Sequence, residues 1–104
     1  MANYLLIYHG GSMPDSPEEN AKVMQAWTDW YGVVGAALVD AGNPISQVRT
    51  VASDGSVTNG GPNPSTGYTV IKADNLDAAV ALAKGCPVLQ GGASVEVAET
   101  FAVM

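Results

Sequence analysis

Apolar residues occupy both alternating faces of the first segment of the chain. In NYLLIYH, Tyr4, Leu6 and Tyr8 fall on one face, and Leu5 and Ile7 fall on the other. The segment GYTVIKA repeats this two-faced pattern, and ASVEVAE alternates apolar and polar positions. These patterns predict three strands, and a strand that is apolar on both faces is expected to be covered on both.

An apolar period of 3.6 residues predicts a long first helix over residues 17 to 41. Ser16 is placed to be its N-cap, and Glu19 completes a capping box. Gly35 lies in the interior of this helix, at a cost of about 1 kcal/mol relative to alanine. Gly42 is expected to end the helix in the left-handed conformation.

Later turn signals predict a hairpin and a second, shorter helix. Residues 48 to 52 are typical of a further strand, and Asp54-Gly55, between VAS and SVT, is typical of a tight hairpin turn. Asp74 is the expected cap of the second helix, and Gly85 its end. The order is β-α-β-β-α-β with a small extra hairpin, which predicts a single ferredoxin-like α+β domain over residues 1–104.

The second face of the predicted sheet needs a partner, because two helices cover only one face of four strands. We expect a homodimer in which the two bare faces pack together and form an α+β barrel. The C-terminal TFAVM is an apolar tail that is expected to pack on the second subunit. A charged fraction of only 13% agrees with a surface that is partly hidden against a partner.

The net charge is -6, from four basic and ten acidic residues. This balance argues against binding to nucleic acid or to anionic membranes, since neither would attract an acidic protein. The single cysteine excludes an internal disulfide. MANYLLIYHGG has no basic region before its short apolar run, so it is typical of a strand and not of a signal peptide, and no stretch approaches membrane-spanning length. We expect a cytoplasmic protein.

Five segments, taken in order, resemble YCII-related proteins, a family of the dimeric α+β barrel group near the DGPF-type proteins: YLLIYHGG, LVDAGNP, TGYTVIKADNLDAAVALA, the CP corner and GGASVEV. The resemblance spans nearly the whole chain and implies a ferredoxin-like dimer. It implies no single activity, although at least one relative is a dehydrochlorinase acting on a small aromatic.

The family's proposed catalytic pair is a histidine in the first helix and an aspartate before the proline that follows the second helix. In this sequence the two positions fall near Tyr31 and on Cys86, so neither member of the pair is present. This departure argues against the family's proton-transfer chemistry, which requires a base that titrates near neutral pH.

Five residues are candidates for a functional site. Cys86, Tyr31 and His9 are the catalytic candidates, and together with Trp30 and Tyr68 they are the candidate ligand-binding residues. Cys86 acts as a nucleophile only if a base or a positive field makes it a thiolate, and it is otherwise a small apolar residue at a corner. His9 is alternatively a strand-end histidine bonded to backbone or water. Trp30 and Tyr31 flank the apolar stripe of the helix, where one of them could line a cleft for a small planar or apolar ligand.

Three functions stay open at this point. The first is a dimer that binds a small organic ligand in a cleft between sheet and helices. The second is a cofactor-independent lyase or isomerase acting on a small aromatic or oxo-acid substrate, and the third is a structural accessory dimer with closed clefts. No metal and no cofactor are expected, because one histidine and one cysteine do not make a zinc site and the glycine pairs do not begin a phosphate loop.

Overall fold

A computed structural model of the chain describes residues 2–11 and 16–103. Within these residues the chain forms six strands and two α-helices, and short 3₁₀ turns follow each helix at Gly35–Ala37 and Pro87–Gly91. The elements are, in order, β1 (Ala2–His9), α1 (Pro17–Val34), β2 (Leu38–Asp40), β3 (Arg49–Val51), β4 (Val57–Asn59), β5 (Ser65–Ala73), α2 (Leu76–Ala83) and β6 (Ser94–Glu99).

The main sheet has four antiparallel strands in the order β2-β5-β1-β6. The central pair, β1 and β5, runs in register from Ala2 opposite Ala73 to Tyr8 opposite Gly67. Strands β3 and β4 form a separate two-stranded sheet around the Asp54-Gly55 turn, which confirms the predicted hairpin. The mixed α+β class of the fold is likewise confirmed.

The first helix begins as predicted and ends earlier. Ser16 is the N-cap, its hydroxyl oxygen accepts the backbone N–H of Glu19 at 3.1 Å, and Pro17 follows at the first helical position. The predicted end near Ala41 is wrong, because the helix stops at Val34 and Gly35 takes a positive φ of 57°. Residues 38–40 pair with β5 at the sheet edge, where strand hydrogen bonds replace those of a continued helix.

The second helix is capped one residue later than predicted. The side chain of Asn75, and not of Asp74, accepts the backbone N–H of Ala78 at 2.8 Å. The helix ends at Ala83, so Gly85 lies beyond it. An amide oxygen and a carboxylate oxygen can both cap a helix, so the choice between Asp74 and Asn75 depends on which residue the backbone places at the N-cap position.

The core lies on the face of the sheet that carries both helices. Alternate residues of β1 and β5 point into it and meet one side of α1 and of α2. Its buried members are Tyr4, Leu6, Tyr8, Thr69, Ile71 and Ala73 from the strands, Trp30 and Val34 from α1, Ala79 and Ala83 from α2, and Cys86.

No helix in the described part of the chain covers the opposite face of the sheet. Leu5 and Ile7 of β1 lie there beside Tyr68 and Val70 of β5 and Ala98 of β6, as the register of the strands requires. The smallest dimension of the molecule is 18 Å, which suits one sheet and one layer of helices. We call this surface the uncovered face. A single chain therefore forms an open sheet and not a closed barrel.

Candidate functional site

Four aromatic rings and one cysteine meet between the sheet and α1. Trp27 contacts Tyr8, Trp30 and Tyr31 at centroid distances of 5.8, 5.7 and 5.7 Å, and Trp30 and Tyr31 are 5.8 Å apart. Three of the rings come from positions of α1 that share one face, and Tyr8 comes from β1. Together with Cys86, we call these residues the aromatic cluster.

Trp30 joins the two helices. It is 3% exposed, and its indole Nε1–H donates to the carbonyl oxygen of Leu82 in α2 at 3.0 Å. A buried indole requires such a partner, so its single polar group is committed to the fold. Trp27 and Tyr31 are only half-buried. Of the three α1 rings, these two present an edge of the cluster to solvent.

A chain of buried hydrogen bonds runs through the cluster. The Thr69 hydroxyl donates to the carbonyl oxygen of Ala41 at 3.0 Å, so its oxygen accepts the Tyr8 hydroxyl, 2.6 Å away. The Cys86 side chain lies beside the Tyr8 hydroxyl, close enough for the two groups to interact electrostatically. Every polar group of this chain is therefore satisfied inside the protein.

Burial keeps the cluster uncharged at neutral pH. Desolvation raises the pKa of Cys86, Tyr8 and Tyr31, because removal from water disfavours the anionic form of each group. The thiol is 2% exposed and stays protonated. A nucleophilic cysteine requires the opposite environment. The cluster can donate and accept hydrogen bonds, but it offers neither a thiolate nor a phenolate.

His9 lies on the other side of the sheet. Its Nε2 is 3.0 Å from a carboxylate oxygen of Glu96, and its Nδ1 is 3.1 Å from the carbonyl oxygen of Asn63. Both ring nitrogens face acceptors, and only the imidazolium carries a proton on each. The hydrogen bond that His9 donates to the Glu96 carboxylate accordingly raises the pKa of His9. His9 is thus an ion-pair partner and not a free base.

The five sequence candidates separate into two groups. Cys86, Tyr31 and Trp30 come together in the aromatic cluster, whereas His9 and Tyr68 lie on the uncovered face. His9 and Cys86 do not approach each other within one chain, because alternate residues of β1 point to opposite faces of the sheet.

Sequence reasoning missed three members of these groups. Tyr8 belongs to the cluster, and the alternation of β1 could have placed it on the face of Tyr4 and Leu6. Thr69 has the same signal in β5. No sequence signal pointed to Glu96, since it contacts His9 across 87 positions of the chain.

Two shallow depressions of about 410 and 550 Å³ lie elsewhere on the described surface. The first is at the junction of β5 and α2, and the second lies beside β1 and the C-terminal residues 99–102. In the second, the Tyr4 hydroxyl donates to Glu99 at 2.6 Å, which raises the pKa of Tyr4 to about 12. Neither depression is lined by any of the five candidates.

The described residues contain no group of three His, Cys, Asp or Glu side chains arranged to hold a metal ion. Neither of their helices has the length and apolar character needed to cross a membrane. No protein-family model matches the chain, and no curated protein is significantly similar to it.

Proposed function

We propose that this chain is a ferredoxin-like, YCII-like protein that forms a homodimer in the cytoplasm and binds a small, neutral, planar organic ligand. Its strand order supports the fold. Counting only the main sheet, the second and third strands in sequence lie on one side of the first, and the fourth lies on the other. Two helices follow the first and third of these strands, as in the β-α-β-β-α-β arrangement.

The uncovered face supports the homodimer. Its centre is apolar, and a face of this kind is stable when it is packed against another layer. The chain also has a radius of gyration of 15.1 Å, whereas a compact chain of 104 residues has about 13 Å. Phe101 and Val103 are 84% and 82% exposed. Segments that extend from the domain with exposed apolar groups favour a partner copy.

The half-exposed edge formed by Trp27 and Tyr31 carries the ligand proposal. These two rings offer stacking surface, and the hydroxyl of the half-buried Tyr31, whose pKa is raised by burial, is a neutral hydrogen-bonding group. A site that is apolar, aromatic and uncharged favours a planar ligand without charge.

The aromatic cluster also supports the proposed similarity to YCII-related proteins. By the resemblance, the positions of the family's catalytic pair fall near Tyr31 and on Cys86, and the fold brings these two residues close enough to interact electrostatically. This proximity supports the proposal that the cluster corresponds to the family's cleft. Its raised pKa values argue against the alternative of a lyase or isomerase, because proton abstraction at neutral pH needs a deprotonated group.

The test is a ¹H–¹⁵N NMR titration with phenol and benzamide, with cyclohexanol as the non-aromatic control. The chain has two tryptophans, so two indole N–H signals report directly on the cluster. We expect saturable shifts with the aromatic compounds, lost in Tyr31→Leu and kept in Tyr68→Leu, which removes an aromatic ring from the other face. Absence of saturable shifts at millimolar ligand, or their loss in both variants, would contradict the proposal.

A further inference from the structure

We propose that the β3–β4 hairpin, residues 49–59, is an arm that docks on a second copy of this chain and extends the interface made by the uncovered faces. This inference rests on the proposed homodimer. We call residues 49–59 the arm.

The arm is well formed but isolated. It has three residue pairs, from Arg49 opposite Asn59 to Val51 opposite Val57. Asp54 fixes the turn, since its carboxylate accepts the backbone N–H of Ser56 at 2.9 Å and the hydroxyl at 2.7 Å. Every residue of the arm is exposed. A two-stranded hairpin that packs on nothing is marginally stable in water, so the arm is expected to have a partner.

The two faces of the arm differ in polarity. Val51 and Val57 are directly opposite each other on one face, at 68% and 59% exposure. Thr50 and Thr58 are paired on the other face. Paired valines stabilise a hairpin most when a third surface covers them. The valine face is therefore the docking face, and the threonine face remains in solvent.

The area of the uncovered face indicates that the partner is a second copy. Four strands spaced about 4.8 Å apart, with about six residues each at 3.4 Å, give a flat area of about 400 Å². Two such faces bury about 800 Å² in total, whereas stable, specific interfaces bury about 1,200 Å² or more. A sheet-to-sheet dimer therefore needs further contacts, and the arm provides apolar surface for them in addition to the exposed Phe101 and Val103.

The root of the arm lies at the rim of the uncovered face. The loop that leads from β4 to β5 is held there, because the carbonyl oxygen of Asn63 is bonded to His9. His9 and Ile7 share that face. An arm that starts at this rim extends the same interface and does not create a separate one.

The charges on the arm and on the uncovered face also favour a second copy as the partner. The Arg49 guanidinium lies on the valine face and donates to the carbonyl oxygen of Val48 at 3.2 Å, and among the described residues it forms no ion pair. The uncovered face of a second copy carries Glu96, whose carboxylate is bonded to His9 on one side while 62% of its side chain stays exposed to a second cation. In a chain of net charge -6, a cation on the docking face reduces the repulsion between two copies.

The experiment is sedimentation equilibrium on the full chain, with Val51→Ser/Val57→Ser compared with Thr50→Ser/Thr58→Ser. Both double variants lower strand propensity at paired positions, but only the first removes the apolar docking face. We expect wild type to be dimeric. The valine variant should dimerise about tenfold more weakly or worse, and the threonine variant within about twofold of wild type. Far-UV circular dichroism checks that both variants keep the fold.

The results that would contradict this proposal distinguish failure of the arm from failure of the homodimer. A dimeric wild type with an unchanged valine variant overturns the arm and leaves the homodimer standing. Equal weakening in both variants also overturns the arm, because the loss would not depend on the face. A wild type that is monomeric at every concentration overturns the homodimer and the arm together.

Discussion

The contact between Gly42 and β5 yields the sharpest prediction about the fold. Gly42 has a φ of 77°, and a Cβ atom built there would lie 2.6 Å from the carbonyl carbon of Tyr68 and overlap its oxygen. Gly10 has nearly the same φ, 76°, and a Cβ atom there would meet nothing within 4 Å. Alanine at either position suffers the same backbone strain, of about 1–2 kcal/mol. Only at Gly42 does the methyl group also collide with main chain.

The collision can be relieved only if the segment after β2 moves away from β5. That movement breaks the bonds from the Tyr68 N–H to Asn43 at 3.3 Å and from the Ile45 N–H to Thr66 at 3.0 Å. At about 1 kcal/mol for each hydrogen bond, Gly42→Ala should lower the free energy of unfolding by about 3–4 kcal/mol, against about 1–2 kcal/mol for Gly10→Ala.

Urea unfolding followed by far-UV circular dichroism measures both variants against wild type. The difference between them isolates the collision, because the strain is common to both. If the two variants lose the same stability to within about 0.5 kcal/mol, the close packing of Gly42 on β5 is refuted.

Three further predictions concern the two faces of the sheet. The pKa of His9 is raised in the folded state, so the ion pair of His9 stabilises the fold below about pH 6.5 and stops doing so as the pH rises through the folded-state pKa. His9→Gln should therefore lower the urea midpoint at pH 6 and not at pH 8.5. A difference in midpoint between variant and wild type that does not depend on pH would contradict the ion pair. Trp30→Phe should lower the free energy of unfolding by about 2–3 kcal/mol, because it loses a hydrogen bond and leaves a cavity. Trp27→Phe, at a half-buried position, should lower it clearly less, and urea unfolding measures both. Equal losses of stability would refute the anchoring role of Trp30. Cys86 should react with a disulfide reagent at pH 7.5 only as fast as the protein opens, and rapidly in urea, whereas fast reaction of the folded protein would show an accessible thiolate.

Local signals located most of the elements. The Ser16 N-cap and the Asp54-Gly55 turn act through bonds between residues close in sequence, so the sequence alone was sufficient to predict them. The end of α1 was mispredicted for the opposite reason. Residues 35–41 continue the helical period, but the edge of β5 offers residues 38–40 a strand partner that no local pattern reveals.

The candidate site was predicted in parts. The sequence singled out Tyr31 and Cys86 as candidates, and the fold brings them into one cluster. The inclusion of His9 in the same set was not supported, since its position on β1 directs it to the other face. Its partner Glu96 comes from a distant strand, and such pairs depend on strand register, which the sequence pattern leaves open.

The sequence by itself determined which residues are apolar, where the chain turns and that the sheet has a second apolar face. These properties depend on side-chain type and on interactions within a few positions of the chain. Only the tertiary structure decided that Leu38–Asp40 is a strand, that the Tyr8 and Thr69 hydroxyls are hydrogen-bonded to each other, and that Glu96 raises the pKa of His9. Each of these results requires two segments far apart in the sequence to meet, and the interactions between them form only when the chain folds.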